Sequence, residues 1–284
     1  MLVVTPDAAP DGAEACSAAP GTHPGLHTAA KAFLAAPPPA AMLRYDLRDT
    51  VAHVTLDRPE KKNALTMDGL DALAAAFDRA EREARVLVLH GAGDAFCAGD
   101  DIASLATLGD GTDPEALATR LYEALFGAER LSIPVVAAVD GIAYGGGFEL
   151  VAAADLAVAT EGSTFALPET RIGAYPPYAV ARAAETCGKK RLLELVLTGE
   201  PVEAGTALDW GLLNRVVPAG ELDRAVATYV DAIHESPAPA VALAKRYVHA
   251  ATAAAGERER VVEGFDTIAE EPACLDAARA FLAE

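Results

Sequence analysis

The chain has 284 residues, of which 52% are hydrophobic, and this is enough for one substantial core or two small ones. Its 42 acidic and 23 basic residues give a formal net charge of −19, and a surface of this sign repels nucleic acid and anionic membranes. Among the cations, 17 are arginine and 6 are lysine, a bias typical of proteins kept soluble in high salt and also of GC-rich coding.

Membrane and secreted classes are also disfavoured. No apolar run approaches the ~20 residues of a membrane helix, and the N-terminus lacks the basic start and apolar stretch of a secretory signal. The four cysteines lie far apart without a Cys-x-x-Cys pair, and the histidines show no metal-ligand spacing beyond a weak pair at His23 and His27. We therefore expect a reduced, cytoplasmic protein without a metal site.

Residues 1–41 differ in composition from the rest of the chain. They are rich in Ala, Pro, Gly and Thr and contain no arginine, so they are predicted to form a disordered tail. Met42 then begins a plausible strand, and our hypothesis is that the native protein starts there. An intact mass from the native host that begins at Met1 would contradict it. The remaining chain is predicted to hold a catalytic core at 42–220 and a helical region at 221–284.

From Met42 onward, hydrophobic periodicity alternates between two and 3.6 residues. Strands are predicted at 51–56, 86–89, 134–139, 156–159 and 165–167, and helices at 67–84, 114–131 and from the glycine triplet through Leu150. From Lys189 the pattern is almost wholly helical, interrupted by a strand-like run at 213–217. This order predicts an α/β fold with a helical C-terminal region.

Two glycine-bearing turns each follow a predicted buried strand. The first is Ala-Phe-Cys-Ala-Gly-Asp-Asp-Ile at 95–102, and the second is Asp-Gly-Ile-Ala-Tyr-Gly-Gly-Gly-Phe-Glu at 140–149. The triplet opens a helix, so its backbone N–H groups lack partners and have the positive end of the helix dipole behind them. Such a turn suits an anion or a developing oxyanion. The alternative is a tight strand-to-helix turn without a ligand.

Two glutamates stand close to these features. Glu149 lies in the first turn of the helix that the triplet opens, and Glu169 follows a short strand and Pro168. A glutamate in apolar sequence is either a paired structural group or an acid/base with a raised pKa. Two carboxylates facing one site divide such roles in many enzymes, but spacing alone does not show that these two face each other.

Five blocks in order resemble the signatures of the crotonase (enoyl-CoA hydratase/isomerase) superfamily. They are Arg-Pro-Glu-Lys-Lys-Asn-Ala-Leu at 58–65, Phe-Cys-Ala-Gly-Asp-Asp at 96–101, Gly-Gly-Gly-Phe-Glu at 145–149, Leu-Pro-Glu at 167–169, and Leu-Thr-Gly-Glu at 197–200 with the run to 217. The resemblance extends from about Met42 to the C-terminus. It implies a spiral of ββα turns whose C-terminal helices pack between subunits of a homotrimer or a dimer of trimers.

The resemblance also implies the chemistry. The substrate is an acyl-CoA thioester, with coenzyme A as part of the substrate and no separate cofactor, and the backbone N–H groups of Asp100 and Gly146 hold the enolate oxygen. Both glutamates of the family's hydratases are present. Glu149 is assigned to position and activate water, and Glu169 to supply the C2 proton, when a trans-2-enoyl-CoA becomes a 3-hydroxyacyl-CoA.

Substrate contacts are expected from six further positions: Ala98, Ile102, Tyr144, Gly145, Lys61 and Lys62. The two lysines would meet CoA phosphates as point charges, or they lie in a solvated turn. Ile102 and Tyr144, with Leu105, Phe148 and Leu167, would line an acyl tunnel, or they are plain core.

Two features depart from the family pattern. Asp100 stands where a small residue is common, and its carboxylate is expected to point away from the enolate. After Gly173, residues 174–180 bring two tyrosines and a Pro-Pro pair in place of a small, glycine-rich stretch. This segment either reshapes the acyl pocket or forms a stiff loop with stacked aromatic rings.

Other functions remain open at this point. Double-bond isomerisation, thioester hydrolysis and carbon–carbon bond chemistry use the same enolate. Two intact carboxylates and both turns argue against a non-catalytic acyl-CoA-binding subunit. A dinucleotide binder is disfavoured because the glycine triplet lacks Gly-x-Gly-x-x-Gly spacing. The sequence does not indicate acyl chain length or the number of subunits.

Overall fold

A computed structural model describes residues 42–108, 111–252 and 257–283 of the chain. The predicted tail at 1–41 lies outside the described residues. No helix in the described part of the chain has the length and apolar character needed to cross a membrane.

The strands form two sheets. In chain order they are β1 (Leu43–Arg48), β2 (Val51–Leu56), β3 (Val86–Gly91), β4 (Ala95–Cys97), β5 (Val135–Val139), β6 (Ile142–Tyr144), β7 (Leu156–Thr160), β8 (Thr164–Ala166), β9 (Val202–Glu203) and β10 (Arg215–Val217). The larger sheet has the order β1-β2-β3-β5-β7-β10 and the smaller β4-β6-β8-β9. All neighbours are parallel except the pairs β1–β2 and β8–β9.

The helices follow the strands and dominate the C-terminal half. They are α1 (Met67–Glu83), α2 (Ile102–Ala106), α3 (Pro114–Leu125), α4 (Gly127–Arg130), α5 (Gly146–Ala153), α6 (Pro177–Cys187), α7 (Lys189–Thr198), α8 (Ala204–Asp209), α9 (Leu222–His234), α10 (Ala238–Thr252), α11 (Glu257–Glu270) and α12 (Pro272–Ala283). Two short 3-10 turns, Pro59–Lys61 and Glu169–Ile172, complete the regular structure of the described residues.

The larger sheet is buried on both faces. In β3, Leu87 and Leu89 belong to the main apolar core, whereas Val86 and Val88 face a second, smaller one. This division follows from the two-residue period of a strand, and it explains why the sequence there is continuously apolar. Helix α9 closes the smaller core with the side chains Ala225, Val226 and Val230.

The predicted α/β class with a helical C-terminal region is confirmed, and three details of the prediction are wrong. Residues 95–97 and 142–144 are strands of the second sheet rather than parts of turns. Residues 177–187 form a helix, α6, because Pro177 occupies its first turn, where a missing N–H costs nothing. The helix predicted over 114–131 is broken at Phe126 into α3 and α4.

The last two helices pack on their own chain. Helix α11 lies against α3 and α6, and α12 lies against α2 and the 3-10 turn Glu169–Ile172. Gly173, at the end of that turn, has no room for a side chain beneath the carbonyl of Cys274 in α12. The packing of C-terminal helices between subunits stays a prediction.

Candidate active site

The two glycine turns meet at the carboxyl ends of neighbouring parallel strands. The first turn follows β4 and the second follows β6, which pairs with β4. Gly99 has φ +102° and Gly145 has φ +52°, both in the region that favours glycine. A Cβ atom on Gly99 would lie 2.9 Å from the carbonyl oxygen of Tyr144 and 3.4 Å from the backbone nitrogen of Gly146. The turns therefore touch only because this position carries no side chain.

Two backbone N–H groups are available where the turns meet. No hydrogen bond within the described ranges uses the N–H of Asp100 or of Gly146. Gly146 opens α5, and the first N–H groups of a helix have no partner inside it. The N–H of Leu65 donates to the carbonyl of Gly99 at 2.8 Å, and the N–H of Asp101 donates to the carbonyl of Leu65 at 2.7 Å. Gly99 and Asp101 lie on either side of Asp100. These bonds fix the peptide of Asp100 with its own N–H unused.

Asn63 holds the first turn in place. Its side-chain NH₂ donates to the carbonyls of Ala92, Ala95 and Phe96 at 2.9, 2.7 and 3.2 Å, and its Oδ1 accepts from the N–H of Arg58 at 2.9 Å. The side chain is buried, and the backbone is left-handed, with φ +59°. Asn63 stands in the first of the five motifs, but the motif alone did not indicate this positioning role. Asparagine's tolerance of left-handed backbone was the available signal.

Glu149 lies fully buried in the first turn of α5, at 0% exposure. Its Oε1 accepts from the N–H of Ala179 in α6 at 2.8 Å, and its Oε2 has no partner within the described part of the chain. Burial raises the pKa of this carboxyl well above its usual range, and the carboxylates of Glu169 and Asp100 raise it further. The backbone N–H groups of Ala179 and Tyr178 act in the opposite direction.

Glu169 begins the 3-10 turn that follows β8, and both of its carboxylate oxygens are buried with no partner in the described ranges. Burial raises the pKa of Glu169 to about 8, with a further contribution from Asp100. A Cβ atom on Gly145 would lie 3.2 Å from its Oε1, so the carboxylate stands at the second glycine turn. The parallel order β4-β6-β8 thus brings Glu149 and Glu169 to one place, which spacing along the chain did not show.

The side chain of Asp100 lies against the second glycine turn. A Cβ atom on Gly146 would lie 2.9 Å from Oδ1 of Asp100, so the carboxyl packs on that turn. The pairing of Gly99 and Asp101 with Leu65 fixes the backbone here and with it the direction of the Cα–Cβ bond. Oδ1 is buried without a partner among the described residues, and burial raises the pKa of Asp100 to about 7. The orientation of the carboxyl relative to a bound enolate stays a prediction.

The lysines lie beside the first turn. The N–H of Ala98 donates to the carbonyl of Lys62 at 2.8 Å, which joins the two segments. The side chains of Lys61 and Lys62 are exposed, and Nζ of Lys62 lies 3.9 Å from Asp94. This placement agrees with a solvated turn at the edge of the site, and contact with CoA phosphates stays a prediction.

The apolar positions divide between site and core. Leu105 lines a cavity of about 10 Å³ beside Asp100, together with Leu65, Met67, Leu70, Leu117 and Leu121. Ile102 is half-buried at the start of α2. Tyr144 is tied to the second sheet by a hydrogen bond of 3.0 Å between its hydroxyl and that of Thr164. Phe148 and Leu167 are fully buried members of the main core.

The two tyrosines after Gly173 use their hydroxyls within the protein. Tyr175 donates to the carbonyl of Val261 at 3.0 Å, and its ring lies 5.3 Å from that of Phe265 in α11. Tyr178 donates to Oε1 of Glu129 at 2.5 Å. These contacts favour the interpretation of a stiff segment with packed aromatic rings.

The described residues do not indicate a metal centre or a cysteine nucleophile. The described residues contain no group of three or more His, Cys, Asp or Glu side chains arranged to hold a metal ion. Cys97 is fully buried, and burial raises the pKa of its thiol to about 12, which fits packing rather than nucleophilic attack. What the site offers is two backbone donors for a developing oxyanion beside carboxyls able to exchange protons.

Comparisons with known proteins identify the family of the chain. The family model described as "Enoyl-CoA hydratase/isomerase" matches residues 46–266. A "Probable enoyl-CoA hydratase" of Rhodobacter capsulatus is 34% identical over 210 residues, covering 73% of this chain and 81% of the relative. A "Carnitinyl-CoA dehydratase" of Proteus mirabilis is 35% identical over 213 residues, covering 73% and 80%. The crystal structure of an enoyl-CoA hydratase from Mycobacterium avium subsp. paratuberculosis superimposes with a TM-score of 0.77 at 30% identity, covering 85% and 99% of the two chains.

Proposed function

Because the chain belongs to the enoyl-CoA hydratase/isomerase family, we propose that it adds water to a trans-2-enoyl-CoA to give the 3-hydroxyacyl-CoA. The observation that carries this proposal is the buried pair Glu149 and Glu169. Among the described residues, three of their carboxylate oxygens and the N–H groups of Asp100 and Gly146 have no hydrogen-bond partner. Isomerisation of a double bond needs one base, whereas hydration needs one group to hold water and another to deliver a proton.

The thioester oxygen is proposed to accept from the N–H groups of Asp100 and Gly146. Negative charge grows on this oxygen when water attacks C3, and the two donors are already fixed around it. A preorganised donor of this kind is worth about 2.7–4 kcal/mol of transition-state stabilisation. Coenzyme A belongs to the substrate in this proposal, and no separate cofactor takes part.

The two glutamates are proposed to divide the proton transfers. The N–H of Ala179 holds Oε1 of Glu149 and leaves Oε2 without a partner among the described residues, so we assign Glu149 to hold water and take its proton. Neither carboxylate oxygen of Glu169 has a hydrogen-bond partner among the described residues, so this carboxyl is the less constrained of the two and we assign it to protonate C2. Transfer of the proton from Glu149 to Glu169 after each turnover restores the starting state.

Dehydration of a hydroxyacyl-CoA such as carnitinyl-CoA is the second candidate. Relatives from Proteus and Salmonella that are 35–37% identical are named "Carnitinyl-CoA dehydratase". The same donors and carboxyls would serve this reaction, since it is the reverse of a hydration. Crotonyl-CoA, a longer trans-2-enoyl-CoA and carnitinyl-CoA tested in parallel distinguish the two, and no turnover of any enoyl-CoA would contradict the hydratase proposal.

The substitution Glu169→Gln tests the assignment of the proton donor. Glutamine fills the same space but has no acidic proton, so hydration of crotonyl-CoA is expected to fall by about 10²- to 10⁴-fold. Binding of the saturated analogue butyryl-CoA, measured by calorimetry, is expected to stay within about twofold. Glu161→Gln, the same change at an exposed position between β7 and β8, serves as the control. Near-normal turnover by Glu169→Gln would contradict the assignment.

A further inference from the structure

The proposed hydration assigns no role to the side-chain carboxyl of Asp100. Asp100 contributes its backbone N–H, but its side chain lies on Gly146, the residue that supplies the other donor. Oδ1 is buried and has no hydrogen-bond partner among the described residues. An orphaned polar atom in a protein interior costs free energy, so a ligand that completes its hydrogen bond is strongly favoured there.

The surroundings of Asp100 favour its neutral form. Burial raises the pKa of its carboxyl to about 7. Glu149 faces it from α5 and Glu169 from the 3-10 turn after β8. On its own segment it is flanked by the thiol of Cys97 and by Asp101, whose carboxylate lies 3.5 Å from Arg58. The segments around α1, α2 and α3 present the apolar side chains that line the adjoining cavity: Leu65, Met67, Leu70, Leu105, Leu117 and Leu121. This buried, largely apolar setting disfavours a negative charge on Asp100.

An ionised Asp100 would also oppose the reaction, because negative charge develops on the oxygen held by the neighbouring N–H groups. A neutral carboxyl has the opposite effect, since it carries an O–H to donate. Protonated carboxylic acids in apolar sites are used in this way by other enzymes that stabilise enolates.

We propose that the protonated carboxyl of Asp100 is a third hydrogen-bond donor to the thioester oxygen, beside the backbone N–H groups of Asp100 and Gly146. The inference rests on the proposed function in that it takes an acyl-CoA thioester to occupy these donors. No bond is broken at Asp100: its proton stays on the carboxyl, and the donated hydrogen bond strengthens as the oxygen gains charge. Activity is then high while Asp100 is neutral and falls as pH rises through its pKa of about 7.

Two substitutions at Asp100 distinguish the loss of its hydrogen-bond donor from the loss of its ability to ionise. Asp100→Asn keeps an N–H donor of nearly the same shape and cannot ionise, whereas Asp100→Ala removes the donor. At pH 6 we expect Asp100→Asn to retain kcat for crotonyl-CoA within about fivefold and Asp100→Ala to lose about a hundredfold. Above pH 7 the ratio of the Asp100→Asn rate to the wild-type rate should climb towards tenfold per pH unit. Because Asp100→Asn also removes the contribution of Asp100 to the raised pKa values of Glu149 and Glu169, this ratio is read together with the enolate-binding measurement below.

Asp101→Asn is the matched control. Its side chain caps α2 through the N–H of Ala103 at 3.2 Å, and asparagine caps helices equally well. The same change of charge one residue away should leave the pH profile as in the wild type. Wild-type kcat in Asp100→Ala at pH 6, or an alkaline fall in Asp100→Asn parallel to the wild type, would overturn the inference.

A binding measurement keeps this inference separate from the hydratase proposal. Acetoacetyl-CoA ionises to an enolate whose ultraviolet absorbance reports its capture, and butyryl-CoA forms no enolate. We expect wild-type affinity for the enolate to weaken above pH 7 relative to Asp100→Asn, with butyryl-CoA binding alike in both. If no enoyl-CoA is hydrated but this difference appears, the donor role stands and the hydratase proposal fails. If hydration occurs and the difference is absent, the donor role fails alone.

Discussion

A single buried amide determines the shape of the first donor turn. Asn63 is 2% exposed and connects three carbonyls around β4 to the 3-10 turn that carries the lysines. Its left-handed backbone would be strained for most residues, and asparagine is one of the few that adopt it readily. Ala95 and Phe96 lead directly into the turn that contains Asp100. The side chain of Asn63 therefore helps to position the backbone N–H of Asp100 without contacting it.

We expect Asn63→Ala to lower the free energy of unfolding by about 3 kcal/mol, since buried carbonyls lose their donors and alanine is strained at this φ. The turnover of crotonyl-CoA should fall while its KM changes little, because the displaced donor acts mainly in the transition state. Denaturant unfolding and steady-state kinetics measure the two effects. Asn63→Gly removes the strain but not the lost hydrogen bonds, so full recovery with glycine would show that only backbone conformation matters.

At the scale of elements, helix α6 supports Glu149. Its first turn supplies the N–H of Ala179 to Oε1 of Glu149, and the helix is anchored to α4 by Arg182 and Tyr178, which both bond to Glu129. The Arg182–Glu129 pair is 3.2 Å apart and almost wholly buried, with side-chain exposures of 7% and 10%. Such a pair is costly to break, because one charge is left in the interior.

Arg182→Met is therefore expected to destabilise the protein by about 3–5 kcal/mol and to lower kcat more than it raises KM, as α6 shifts against Glu149. The double variant Arg182→Met with Glu129→Gln removes both charges and should recover most of the stability. Arg130→Met breaks an exposed pair with Glu123 and should cost less than about 1 kcal/mol. Thermal unfolding of the three variants tests the argument, and equal losses in both single variants would refute it.

The sequence predicted those elements whose pattern is long enough to show a period. Helix α1 has a continuous apolar face and a Thr66 cap, and β2 and β3 are apolar runs of the length of a strand. Strands β4 and β6 have three residues each, too few for a period to appear, so they were assigned to turns. Helix α6 begins at Pro177 with Pro176 as its N-cap, and a Pro-Pro pair in sequence indicates a loop as readily as a first helical turn.

The same limit applies to the candidate site. Glu149 and Glu169 were found through the motifs in which they stand, and their convergence depends on the parallel order β4-β6-β8, which no local pattern contains. The direction of the Asp100 side chain depends on Leu65, a residue from another segment. The expectation that this carboxylate points away from the enolate was based on charge alone and left out burial, which raises the pKa of Asp100 to about 7.

At the scale of the whole molecule, the net charge is negative, and the protonation of buried carboxyls makes the site less negative than the composition suggests. Asp7, Asp11, Glu14 and Lys31 place −2 of the formal charge of −19 on residues 1–41, leaving −17 on the remaining chain. Acyl-CoA is itself anionic, so its recognition has to rely on local donors rather than on the overall field. Protonation of buried carboxyls lowers the negative charge where the thioester would lie.

This protonation predicts how stability changes with pH. The pKa of Glu169 is about 8 in the folded protein against 4.5 unperturbed, so the folded state binds one more proton between these values. Its contribution to stability is complete below pH 4.5 and is lost as pH rises to about 8. His90, whose pKa is lowered to about 4 from 6.5, acts in the opposite direction only below pH 6.5. Between pH 6.5 and 7.5 the wild type should thus lose about 1.4 kcal/mol per pH unit relative to Glu169→Gln. Urea unfolding of both proteins across this range, with Glu161→Gln as control, measures the difference, and parallel curves would mean that Glu169 is ionised in the folded protein.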